Sequence, residues 1–114
     1  MSASSVELRW QQGTLCISGD LGGDRAAALV EQLRVLPLPD TPDLVLDLGE
    51  LDFDDGVAVA ESVNALRVLL GRGRRLTLVE APQMLAHTLY KVSMLATAPI
   101  TLVDPREDEG TTAN

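Results

Sequence analysis

The densest chemistry in the chain lies between Asp47 and Asp55, where Asp47, Glu50, Asp52, Asp54 and Asp55 crowd together. Carboxylates this close can share a cation or work as an acid/base pair. Asp52-Phe53-Asp54-Asp55-Gly56 has the opening of a calcium loop. Such a loop needs an acidic bidentate ligand at its twelfth position; counted from Asp52, that position is Val63. A nucleophilic Asp47 at a strand end, as in a phosphatase, lacks a second Asp two residues on. The simpler role fits better. Asp54 or Asp55 caps a helix starting near Gly56 by accepting a first-turn N–H, which is worth about 1 kcal/mol.

The remaining chemistry-bearing residues are isolated. His87 is the only histidine, with neither cysteine partners for zinc nor a serine nucleophile signature nearby. Cys16 is the only cysteine. It cannot form an internal disulfide, and no cation adjoins it in sequence to activate the thiol. Gly19-Asp20-Leu21-Gly22-Gly23 stands between a strand and a helix, where phosphate loops occur. It matches neither the dinucleotide fingerprint nor the P-loop, and no lysine follows. Arg72, Arg74 and Arg75 form an anion-binding candidate, but a solvated loop explains them as well. No catalytic residue, metal site or cofactor is expected.

These residues need elements to hold them. Val6 to Trp10 and Thr14 to Ser18 alternate apolar and polar residues around Gln11-Gln12-Gly13, which predicts a hairpin with Gly13 at positive φ. Ala26, Leu29, Val30, Leu33 and Leu36 carry helical spacing that ends at Pro37. Leu44-Val45-Leu46 reads as a central strand covered on both faces, and Gly49 to Asp54 as an acidic loop after it. Gly56 to Leu70 is the longest helical pattern, with Val59, Val63, Leu66 and Leu70 as one stripe, widened by Val57, Ala60 and Ala65. It stops at Gly71-Arg72-Gly73. Leu76 to Val79 is a second buried strand. Pro82 opens a third helix through Met84, Leu85, Leu89, Val92 and Met94, and Ile100 to Val103 is the last strand. The order β-β-α-β-α-β-α-β predicts an α/β domain with a mostly parallel mixed sheet and an antiparallel edge strand. One domain over 6–104 is expected, between a disordered N-terminus at 1–5 and an acidic tail at 105–114.

Composition narrows the function. The 114 residues carry 9 basic and 17 acidic side chains, a net charge of -8. Nucleic acid is not an expected partner, because phosphate binding needs a basic face. Trp10, Phe53 and Tyr90 are the only aromatics, too few for a base-stacking platform. No apolar run reaches the roughly 18 residues of a membrane helix, and the N-terminus lacks the features of a signal peptide. A cytoplasmic protein without direct membrane insertion is expected.

Two segments carry a family resemblance. Ile17-Ser18-Gly19-Asp20-Leu21-Gly22 is similar to the G-E-L-D strand end of STAS domains, the fold of anti-sigma-factor antagonists, with Gly22 where the family usually has Asp. Leu44-Val45-Leu46-Asp47-Leu48-Gly49-Glu50-Leu51-Asp52-Phe53 resembles the family's central L-V-L-D-L-S-x-L-x-F. The family continues I-D-S-S-G-L, and its first serine is the phosphorylation site. Here the stretch is Asp54-Asp55-Gly56-Val57-Ala58-Val59. Asp55 matches the Asp, Gly56 takes the place of the phosphorylated serine, and Val57 that of the next. The resemblance implies a non-catalytic protein-binding module, and its lack of a hydroxyl at Gly56 implies no phosphate switch there.

Leu8-Arg9-Trp10-Gln11-Gln12 and Leu85 to Leu95, with its Leu89-Tyr90 pair, also resemble the cytoplasmic STAS subunit of Mce-type phospholipid ABC transporters. That subunit packs on an ATPase and usually keeps a threonine where Gly56 stands. The implied partner is therefore a kinase-like anti-sigma factor or an ABC ATPase subunit. A small nucleotide-binding domain is the third alternative, and self-association stays open. The expected docking surface is Asp54, Asp55, Gly56, Val57, Ala60 and Glu61, with Gly22 and Gly23 beside it. Glycine there lets a partner backbone approach closely, and the acids favour a basic partner.

Overall fold

The computed structural model describes residues 6–106. β1 (Glu7–Gln11) turns into β2 (Thr14–Leu21) through Gln12 and Gly13, both at positive φ, 51° and 83°. Two successive left-handed residues make a type I′ turn, whose twist matches that of paired strands. The expected hairpin is present, but β2 runs on past Ser18. Gly19 to Leu21 is strand rather than loop, and only Gly22 separates it from α1 (Gly23–Val35). β3 (Asp43–Phe53), α2 (Gly56–Gly71), β4 (Arg75–Val79), α3 (Gln83–Lys91), α4 (Met94–Thr97) and β5 (Ile100–Val103) follow.

The sheet order is β1-β2-β3-β4-β5, with β1 antiparallel to β2 and the other pairs parallel. This is the expected single α/β domain with a mixed, mostly parallel sheet and an antiparallel edge. One short element is added. Ser93 takes a left-handed φ of 64°, which breaks the third helix and leaves Met94–Thr97 as a separate turn.

From β2 to β5 each crossover steps to the next strand in one direction. Right-handed crossovers of that kind place every helix on the same face of the sheet. Burial follows. Leu15, Ile17, Leu44, Leu46, Leu48, Leu76 and Leu78 are buried beneath the helices, while Thr14, Cys16, Ser18, Val45, Asp47, Thr77 and Val79 on the opposite face are half-buried. The expectation that Leu44 to Leu46 is covered on both faces is thereby corrected: Val45 looks to the open side. α2 packs against both α1 and α3, and Ala58, Val63, Ala65, Leu66 and Leu69 join the core.

The acidic stretch before Asp54 is strand, not loop. Between β2 and β3 the register runs Cys16↔Asp47 and then Ser18↔Glu50, so β3 holds one extra residue there. This bulge shifts the inward phase from Leu48 to Leu51, and both are buried. The Gly49 N–H donates to Asp47 Oδ1 at 2.9 Å. A Cβ at Gly49 would lie 2.6 Å from Glu80 Oε1, so a side chain there would have to displace the Glu80 carboxylate.

β3 also outruns β4, whose last paired residue is Val79 opposite Asp47. Arg106 serves the exposed edge instead. Its guanidinium donates to the carbonyls of Gly49 and Leu51, and its own N–H donates to Ala81 O at 2.9 Å. Asp104 and Pro105 therefore lead back to the sheet, and the rest of the expected acidic tail lies outside the described residues, as does 1–5.

Candidate partner-docking site

The sheet brings two chain turns together at the same end. β2 and β3 stay paired to their last residues, Leu21 opposite Phe53, and the Asp54 N–H continues the ladder to Leu21 O at 2.9 Å. Both strands then enter helices, so the starts of α1 and α2 emerge side by side. A Cβ at Gly22 would lie 3.4 Å from Asp54 Oδ2, and one at Gly23 would lie 3.0 Å from Val57 Cγ1. Gly22 and Gly23 thus form one continuous edge with Asp54 and Val57. At Gly23 the approach is tight enough that a side chain would have to push Val57 aside.

Capping explains the local order. Asp55 is extended, at φ -159° and ψ 173°, and its Oδ1 accepts from the Ala58 N–H at 2.9 Å. Gly22 heads α1 with no side-chain cap; its carbonyl accepts from the Ala26 N–H at 2.8 Å. Of the two acids offered as caps, Asp55 takes the role. Asp54 stays exposed beside Gly22.

The outer side of α2 is low. Gly56 and Ala60 are exposed, and a Cβ at Gly56 would meet nothing within 4 Å. Val57 keeps 58% of its surface in solvent, a large share for a valine that already touches Gly23. Glu61 stands apart from this edge. It is half-buried, accepts from Asn64 Nδ2 at 3.3 Å, and lines an open groove of about 730 Å³ between α1 and α2 with Glu31, Arg34 and Arg67.

The other candidates separate from this edge. His87 is exposed on α3. Cys16 is half-buried and its thiol faces Gln11 Oε1 at 3.7 Å. The three arginines act as staples: Arg72 Nη1 donates to Leu33 O and Arg74 Nη2 to Pro39 O, each at 2.8 Å, while Arg75 pairs with Asp43 at 2.8 Å. Among the described residues no group of three or more His, Cys, Asp or Glu is placed to hold a metal ion.

The site contains small residues and acids around two helix starts, on a sheet with all its helices on one face. That is the architecture of a STAS-like domain. The family model described as "Mlab, STAS domain" matches residues 4–101, and the chain belongs to the STAS domain family. No curated protein matches it. STAS domains in general mediate protein–protein interactions, and among the described residues no helix is long and apolar enough to cross a membrane.

Proposed function

We propose that the chain is a non-catalytic, cytoplasmic docking module resembling an anti-sigma-factor antagonist, which binds its partner through the paired starts of α1 and α2 without a phosphoserine switch. The observation that carries this is the convergence of Gly22–Gly23 on Asp54–Val57, with open space above Gly56. A partner backbone can lie against Gly56 and Ala60, because no side chain longer than a methyl group stands there. Val57 supplies an apolar contact at the centre. Asp54 and Asp55 supply a negative rim that favours a basic surface. Gly56 has no hydroxyl, so docking here is not gated by a phosphate at that position. The partner that fits best is a kinase-like anti-sigma factor.

A second reading is an accessory subunit seated on the ATPase of an Mce-type phospholipid transporter. It is favoured by Tyr90, which is 72% exposed next to the buried Leu89, with Val92 and Met84 also in solvent. The core does not use that ring, so it is free for a partner. Affinity capture with mass spectrometry tests both readings, using the native chain, Gly56→Arg and Tyr90→Ala as baits. A sigma-regulating kinase-like protein held by the native bait but lost from Gly56→Arg supports the first reading. A transporter ATPase held by the native chain and by Gly56→Arg, but lost from a Tyr90→Ala bait, supports the second. Partners that bind the native and Gly56→Arg baits equally refute the docking edge.

A further inference from the structure

The geometry points to a second interface, independent of the docking edge: β1 pairs antiparallel with β1 of a second copy of this chain. β1 is one edge of the sheet, and an open edge presents a row of unpaired N–H and C=O groups. The opposite edge is blunted. β5 has four residues and stands between Pro99 and Pro105. β1 has no proline or lysine in Glu7–Gln11, and its charged residues, Glu7 and Arg9, have opposite signs. Both are exposed, and among the described residues neither is in an ion pair.

The hairpin fixes which backbone groups face out. A type I′ turn closes with a hydrogen bond between Gln11 and Thr14. Hydrogen-bonded and non-hydrogen-bonded pairs then alternate along the ladder. With the register Gln11↔Thr14, Arg9↔Cys16 and Glu7↔Ser18, the polar backbone groups of Gln11, Arg9 and Glu7 turn toward β2. Those of Leu8 and Trp10 turn outward. A twofold pairing must therefore place Leu8 and Trp10 opposite outward-facing residues of the second copy.

Few registers meet that condition, and charge selects one. Centred on Arg9, the pairing sets the two arginines against each other. Centred on Glu7, it opposes two glutamates. Centred on Leu8, it pairs Leu8 with Leu8, Val6 with Trp10 and Glu7 with Arg9, each of the unlike pairs occurring twice. The Glu7–Arg9 pairs fall at the non-hydrogen-bonded positions, where side chains stand closest. Trp10 is 39% exposed and Val6 is half-buried against the core, so apolar surface remains for that contact. The segment Val6-Glu7-Leu8-Arg9-Trp10 is thus complementary to itself in one register, and pairing makes a continuous ten-stranded sheet.

Sedimentation of the full chain tests this, from about 1 μM to about 1 mM, which spans affinities typical of weak specific pairs. The mass should rise with concentration from 12.2 kDa toward twice that value. Glu7→Arg and Arg9→Glu each replace two attractive pairs by two repulsive ones, so each should weaken dimerisation by about tenfold or more. The double variant restores both pairs in reversed sense and should return to within about threefold of the native chain. Thr101→Lys on the β5 edge should change nothing. Amide exchange at Leu8 and Trp10 should slow as concentration rises, while Arg9, already bonded to β2, should not respond. A monomer at every concentration overturns the proposal. So does a dimer indifferent to the single charge reversals, not rescued by the double variant, or leaving the Leu8 and Trp10 amides in fast exchange.

Discussion

Replacing Gly56 by Arg separates docking from folding. A Cβ at Gly56 meets nothing within 4 Å, so the longer side chain extends into solvent. Leaving glycine in a helix gains up to about 1 kcal/mol. A cation in the first turn of α2 opposes the helix dipole by about 0.3–1 kcal/mol. The two nearly cancel, and the melting temperature should move by less than about 4 °C. At the interface the same side chain occupies the space meant for the partner backbone. Loss of a central contact of this kind costs about 2 kcal/mol or more, a rise in Kd of about 30-fold. Surface plasmon resonance against the captured partner reads it directly. Glu61→Lys tests the groove beside the edge: it should slow association, with an effect that shrinks as salt rises. Asp40→Lys changes the net charge equally but lies before β3, at the end of that strand away from Asp54, and should leave Kd unchanged. Should Gly56→Arg fold poorly, Gly56→Gln probes the same space without the charge. A folded Gly56 variant that binds within about threefold of the native chain refutes the docking edge. Equal losses from Gly56→Arg, Glu61→Lys and Asp40→Lys would mean that bulk charge drives binding.

Other positions test the fold and the missing switch. Ser62 is buried with its Oγ unpartnered, against a small cavity lined by Leu46, Leu48, Leu66 and Leu85. Ser62→Ala should therefore stabilise the chain by about 1 kcal/mol, seen as a higher urea midpoint at unchanged slope; a lower midpoint would mean the hydroxyl is satisfied. Arg106→Ala removes the donors to Gly49 and Leu51 and should cost about 2 kcal/mol. Unchanged stability would show that water serves those carbonyls equally well. Asp55→Ala deletes the cap on Ala58 and should cost about 1 kcal/mol in the same urea titration, whereas Asp54→Ala should not. Incubation with ATP and a kinase for this family should leave the peptide from Asp54 to Ala60 at its unmodified mass, and phosphate found there would place the acceptor within a segment that has no Ser, Thr or Tyr.

Local signals made much of this fold legible in the sequence. Gly13 marked the hairpin turn, the spacing from Ala26 to Leu33 marked the buried face of α1, and the pair Asp54-Asp55 marked the start of α2, with the choice of Asp55 as cap left to the structure. Long-range effects were not legible. The bulge at Gly49 breaks strict alternation, so β3 reads as a short strand followed by an acidic loop. Only the pairing with β2 shows that Leu51 returns to the core. Val45 is apolar, yet the one-sided stacking of helices leaves it on the open face. Leu69 is fully buried while Leu70, one position on, is not, because α2 packs against both α1 and α3. Arg106 has no local signal at all, since its acceptors lie more than fifty residues away. At the candidate site the residue types and their neighbourhood were legible. The closeness of Gly23 to Val57 was not, because it depends on how two helices leave adjacent strands.

The two proposed surfaces share no residue, and this has a consequence for binding. The docking edge lies where β2 and β3 end, at Leu21 and Phe53. The self-pairing edge is the outer side of β1. A chain engaged through one surface leaves the other uncovered, and a β1-paired dimer carries two docking edges related by a twofold axis. Against a partner that is itself a dimer, the second contact becomes intramolecular. Apparent affinity can then exceed that of a single edge by about a hundredfold or more, with no added contact. Glu7→Arg should then weaken capture of a dimeric partner while leaving a monomeric fragment of it unaffected. Gly56→Arg should weaken both. That difference distinguishes loss of pairing from loss of docking, even though both lower the amount of partner recovered.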